Sequence, residues 1–248
     1  MQGLERSYKP PFPKGELIHL MVNRQSSIEE NRATALGANQ SALIKFIAHL
    51  FSYVFHPLFI PVYVTWFIAF VHPAYFSGFN PQQKTWIIIR VAYLMVFFPF
   101  ITVLISKGLG FSKSIFLKTQ RERIIPYILT QIFFFWAYLV FRNQPEIPKI
   151  LTAFTFGVFL SSSAALLANI RMKISMHAIG MGGLLGIFLV IMFQNTMLMT
   201  WPIALVLLIT GLVCTSRMIV SDHTSKEIYA GLFLGLACQF VASVIILS

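Results

Sequence analysis

The stretch SRMIVSDHTSKEIYAG, Ser216–Gly231, sets an arginine, a lysine, two acids and a histidine between two long apolar runs, near 197–214 and 228–247. Each run is long enough to cross a hydrocarbon core of roughly 30 Å at about 1.5 Å per helical residue. The polar stretch therefore reads as a turn at a membrane surface. Working outward, further apolar segments fall near 43–71, 85–106, 124–142, 150–169 and 178–194. Lipid admits only helices or closed barrels, and these runs are too long for barrel strands. The expected fold is all-α, a polytopic membrane bundle of six to seven transmembrane helices. The count turns on 43–71, which His56-Pro57 and Pro61 interrupt; it reads as one kinked span or a re-entrant pair. Residues 1–41, with KPPFPKG and no sustained period, read as a disordered polar tail, with room for a short helix near IEENRATA. The transmembrane domain is 42–248.

Composition agrees. Hydrophobic residues make up 57% of the chain and charged residues 11%, where a soluble domain carries about 25% charged. A net charge of +11 would suggest nucleic acid in a soluble protein. In a membrane protein it reads instead as basic loops, with an anionic lipid or phosphorylated substrate as a second cause; no nucleic-acid partner is expected. Cys214 and Cys238 sit in apolar runs and read as free thiols. No secretory signal is expected, since the first 41 residues lack an apolar core.

Seven spans would define a face X, carrying 1–42, 107–123, 170–177 and 215–227, and a face Y. Only Lys84, Arg90, Arg142 and Lys149 fall on Y, which leaves fifteen of the 19 Lys and Arg on or near X. Three polar clusters also gather on X: Lys118–Tyr127 (KTQRERIIPY), Arg171–His177 (RMKISMH) and the opening stretch. Converging cations suit an anion, and phosphate is the common one that needs several. His177 and His223 offer a nucleophile or base and an acid near neutral pH. Glu227 follows His223 by four residues, a helical spacing at which it can accept from the imidazole and fix its tautomer. The carboxylate density that magnesium wants is missing. The chemistry these residues suggest is metal-free phosphoryl transfer through a histidine.

The third cluster, Ser216-Arg217, five residues, His223, three residues, Glu227, then Gly231, resembles the signature of the type-2 phosphatidic acid phosphatase superfamily. Ile174-Ser175-Met176-His177 resembles that family's Pro-Ser-Gly-His, and Lys118 to Pro126 its Lys, six residues, Arg-Pro. The resemblance covers roughly 110–235. It implies that His223 attacks phosphorus, that Glu227 orients His223 in place of the family's Asp, and that His177 protonates the leaving oxygen. Lys118, Ser175, Arg217 and an arginine of the first cluster, Arg121 or Arg123, would hold the phosphoryl oxygens. No metal and no cofactor is implied. The sequence departs from the pattern at Ile125, Ile174, Met176 and Glu227. Arg121 shares a face with Lys118 only if that stretch is helical.

Plainer readings stand beside these. Arg217 and Lys226 also suit interfacial anchors, Arg121 and Arg123 topology determinants, and Ser175 an N-cap. His177 also suits an interfacial position beside a close helix contact, since HAIGMGGLLG is rich in small residues. Asp222 and Glu122 read as local charge balance. Ser161–Asn169 reads as helix packing. His49, His56 and His72 read as satisfied or interfacial histidines, with His56-Pro57 as a candidate break near the substrate path.

The leading expectation is a lipid-phosphate phosphatase acting on a polyprenyl diphosphate, phosphatidic acid, phosphatidylglycerol phosphate or lipid A type of substrate. Its rivals are a lipid-phosphate binder without turnover and a small transporter using His177, His223 and Glu227 as a proton relay. The expected setting is a bacterial inner membrane. The basic excess argues that X is cytoplasmic, and it persists at eleven against four without Lys118, Arg121, Arg123 and Arg217. The resemblance implies a site outside the cytoplasm, and the reading follows the resemblance.

Overall fold

The computed structural model describes residues 24, 27–28, 41–110, 120–194, 196–220 and 223–248, with only the backbone at 120–123. Lys118, Asp222 and nearly all of the N-terminal tail lie outside the described residues. Among the described residues all regular structure is helical.

Two short apolar helices come first, α1 (Ala42–Val54) and α2 (Ile60–Val71). Six longer ones follow: α3 (Pro81–Gly108), α4 (Gln120–Arg142), α5 (Lys149–Ala168), α6 (Met176–Phe193), α7 (Thr200–Val220) and α8 (Ser225–Leu247). All six are long and apolar enough to cross a membrane, so the chain is a multi-pass membrane protein.

Local chemistry sets the helix starts. Asn80 and Gln83 form a capping box ahead of Pro81, Thr224 and Glu227 form another, and Ser41 and Ser175 cap through their hydroxyls. In α3 a π-helical turn, Tyr93–Phe97, comes just before Pro99. A proline ring and its missing N–H cannot be fitted into a regular ladder, and the wider turn takes up the mismatch.

The expected first span, 43–71, is not one transmembrane helix. It breaks at 55–59, and each half is shorter than a span. Pro57 and Pro61 remove ladder donors there. The two halves part company: α1 packs mainly on α7, whereas α2 runs beside α6. At one end Pro57 and Ile60 meet Gly180, and further along Phe67 stacks on Phe188 with ring centroids 4.5 Å apart. At the far end His72 Nε2 donates to Thr196 Oγ1 at 3.0 Å, its Nδ1 being taken by the Ala74 amide.

The tightest packing joins α6 to α8. A Cβ on Gly235 would land on the Ile179 carbonyl, and one on Gly182 would land on the Leu232 carbonyl. A Cβ on Gly231 would come within 2.9 Å of the Ser175 carbonyl. Backbone meets backbone along this line, as small residues allow in a membrane. The contacts advance together along both helices, so α6 and α8 run parallel and start at the same face. Deeper in, Gln239 ties α8 to α5 by donating to the Ala153 carbonyl at 3.3 Å, in space left by Gly157 and Gly186. A second link, Gln131 Nε2 to the Ser162 carbonyl at 3.1 Å, joins α4 to α5.

The main core, with Phe67, Met95, Phe141, Leu151, Phe154 and Ile187 among its buried members, runs through the bundle. A smaller cluster of Tyr127, Ala165, Ile174 and Ile179 is separate from it and draws on α4, α5, α6 and the segment before α6. It joins the first polar cluster to the second.

Replacing Gly235 or Gly182 by Val should cost about 1–3 kcal/mol or more by forcing α6 and α8 apart. Gly211, with nothing within 4 Å of a built Cβ, should accept Ala within about 0.5 kcal/mol. Unfolding of the detergent-solubilised variants measures both.

Candidate functional site

The start of α8 is built around one carboxylate. Thr224 is the N-cap, its hydroxyl accepting from the Glu227 amide at 3.3 Å. Glu227 Oε2 accepts in return from the Thr224 amide at 3.0 Å. The same oxygen accepts from His223 Nδ1, also at 3.0 Å. His223 is 4% exposed. A carboxylate takes the proton-bearing nitrogen, so Nδ1 carries the hydrogen and the lone pair lies on Nε2. The expected His223–Glu227 contact is present, but its cause differs from the helical spacing. His223 precedes the N-cap, and the capping box bends Glu227 back to reach it.

The second cluster lies alongside. The Ser175 amide approaches the Glu227 carbonyl at 3.5 Å. Ser175 is fully buried and caps α6 through the Ala178 amide at 3.5 Å. Ile174, where the resembling motif has Pro, is buried against Tyr127 and Ile179, and Met176 packs on the same group. Both departures thus fill the small core beneath the site. His177 Nε2 is 3.1 Å from the Ser52 carbonyl and donates to it.

Arg217 lies in the last turn of α7, where the helix dipole favours a cation. Ser216 turns its hydroxyl back to the Leu212 carbonyl at 2.7 Å, so the serine of that motif is spent within its own helix.

The break at 55–59 adds a residue that sequence reasoning set aside. The His56 ring stands edge-on to that of His177, with centroids 5.0 Å apart. Burial first, and then the Arg217 guanidinium, push His56 from its usual 6.5 down to about 4. His56 and His177 are 121 positions apart, so nothing local in the sequence announces the contact. The only hint was a histidine-proline pair interrupting an apolar run.

Ser175, His177, Arg217, His223 and Glu227 are thus brought to one end of the bundle. Arg121 and Arg123 lie on the first turn of α4, their side chains outside the described residues. Lys118 lies outside the described residues, and with it the expected pairing of Arg121 with Lys118 on one helical face. No family model matches the chain, and neither a curated protein nor a solved structure matches it.

Thr224→Ala should cost about 1 kcal/mol by removing the cap, while Glu227→Gln, which can still complete a capping box, should cost less. Melting of the two variants compares them. His56 gives a pH dependence. Unfolded, it binds a proton near 6.5; folded, it refuses one until about 4. Stability present above 6.5 is therefore lost as pH falls towards 4. The melting temperature of wild type should drop more between pH 7 and 5 than that of His56→Asn.

Proposed function

We propose that this chain is an integral-membrane lipid-phosphate phosphatase, working through a phosphohistidine at His223. The observation that carries the reading is the buried hydrogen bond from His223 Nδ1 to Glu227 at the membrane-surface end of the bundle. It leaves the nucleophilic lone pair on Nε2 and gives the ring a carboxylate to stabilise the positive charge that attack creates. Nε2 would bond to phosphorus as the bond from phosphorus to the leaving oxygen breaks. Water would then attack phosphorus, releasing phosphate and restoring the imidazole. Arg217, the Ser175 hydroxyl and the start of α6 would meet the charge that builds on the equatorial oxygens, joined by Lys118 and by Arg121 or Arg123. The substrate is a phosphomonoester or diphosphate on a membrane lipid, whose tail stays in the bilayer. We place the protein in a bacterial inner membrane with the site facing away from the cytoplasm. No metal and no cofactor is invoked.

A second reading, a lipid-phosphate binder without turnover, is favoured by one observation. His177 gives its Nε2 proton to the Ser52 carbonyl, and a general acid must give its proton to the leaving oxygen. Substrate choice separates the two. An alkoxide leaving group is about as basic as hydroxide, whereas phosphate has a second pKa of about 6 and leaves with little help. If His177 works as the acid, His177→Ala should slow monoester hydrolysis about 10²–10⁴-fold and diphosphate hydrolysis much less.

The direct test is phosphate release by purified protein in EDTA over a panel of lipid phosphates. The enzyme reading expects release that His223→Ala abolishes. The binder reading expects no release from folded protein and little loss of lipid affinity in the same variant.

A further inference from the structure

The break between α1 and α2 delivers His56 to the candidate site from outside the region that carries the phosphatase-like motifs. Its tautomer is set locally. The Leu58 amide donates to His56 Nδ1 at 3.3 Å, so Nδ1 is an acceptor and the hydrogen sits on Nε2. Among the described residues, that Nε2–H has no hydrogen-bond partner. The ring is half-buried and its Nε2 is not sealed inside the bundle, so a bound ligand can bring the acceptor, and the surroundings select an anionic one. The Arg217 guanidinium acts on His56, the ring is packed on His177 at the start of α6, and that helix end carries partial positive charge. His56 stays neutral in this setting and offers hydrogen bonding without adding a cation. The site's position is also fixed, because Pro57 packs against Gly180 of α6, 3.0 Å from where a Cβ would lie.

We propose that His56 is a further ligand of the anionic head group, its Nε2–H donating to a phosphoryl oxygen beside Arg217. The proposal rests on reading this end of the bundle as a phosphate site, though not on turnover. It makes the first apolar segment part of the site, so binding depends on how α1 and α2 meet at 55–59.

The test measures binding of inorganic phosphate, and of phosphatidic acid in nanodiscs, to wild type, His56→Asn, His56→Gln and His49→Ala. Asn can still accept from the Leu58 amide, as an Asx turn does, so it keeps the break while withdrawing the ring. Gln provides a second variant should Asn unfold. His49 is exposed on α1 and stacks on Tyr53; losing it controls for the loss of a histidine. The expected result is binding by wild type and His49→Ala, with both His56 variants weaker by about tenfold or more. Weakening with inorganic phosphate alone would place the contact with a free anion; weakening with both probes would place it with the shared phosphoryl group. Folded His56 variants that bind both probes like wild type would overturn the proposal, as would wild type that binds neither. Phosphate release is read on the same samples. His223-dependent release with His56-independent binding would sink this inference and leave the phosphatase standing. His56-dependent binding without release from any lipid would do the reverse.

Discussion

The arrangement depends on the backbone-to-backbone contact of α6 with α8. In lipid there is no hydrophobic force to press helices together, so close packing and weak backbone contacts must do it. Gly182 lets α6 lie against the Leu232 carbonyl, and Gly235 lets α8 lie against the Ile179 carbonyl. The two helices start at the same face, so the contact sets Ser175 and His177 beside Glu227 and His223. A shift of either helix by one residue would separate the two halves of the site by about 1.5 Å, enough to spoil hydrogen bonds at 3.0 Å. Gln239, deeper in the same helix, holds α8 to α5 by a different device, a side-chain amide on a backbone carbonyl.

One carboxylate oxygen performs two tasks at the start of α8. Glu227 Oε2 closes the capping box on the Thr224 amide and holds the His223 ring. Folding and the proposed chemistry are therefore coupled: the helix cannot begin as it does without placing the acid where the imidazole needs it. At the start of α6 the balance differs. Ser175 is an N-cap and His177 is tied to the Ser52 carbonyl, so each already has a structural duty. His56, by contrast, spends its Nδ1 on the Leu58 amide and keeps its Nε2–H turned to neither neighbour.

Much of the bundle was legible in the sequence because membrane spans are set by length and hydropathy alone. Six of the seven expected segments became spanning helices. The segment 43–71 did not, because hydropathy cannot distinguish a kinked span from two short helices with different partners; that depends on what α6 and α7 offer. The pairing of His223 with Glu227 was legible from spacing, yet TSKE was also a capping box in plain view, and it is the box that makes the pair. Ile174 and Met176 looked like defects in a motif and became packing against Tyr127 and Ile179. The contact of His56 with His177 was not legible, since it arises from the docking of α2 on α6 at Gly180.

We propose Nε2 of His223 as the nucleophile because Nδ1 is held by Glu227. The measurement that meets this proposal most directly is to quench the protein with a lipid phosphate under alkaline conditions and locate the acid-labile phosphoryl group by mass spectrometry and phosphorus NMR. The expected product is a phosphohistidine at His223, on Nε2. Label on Nδ1 or on another residue, or no label in protein that turns substrate over, would contradict it.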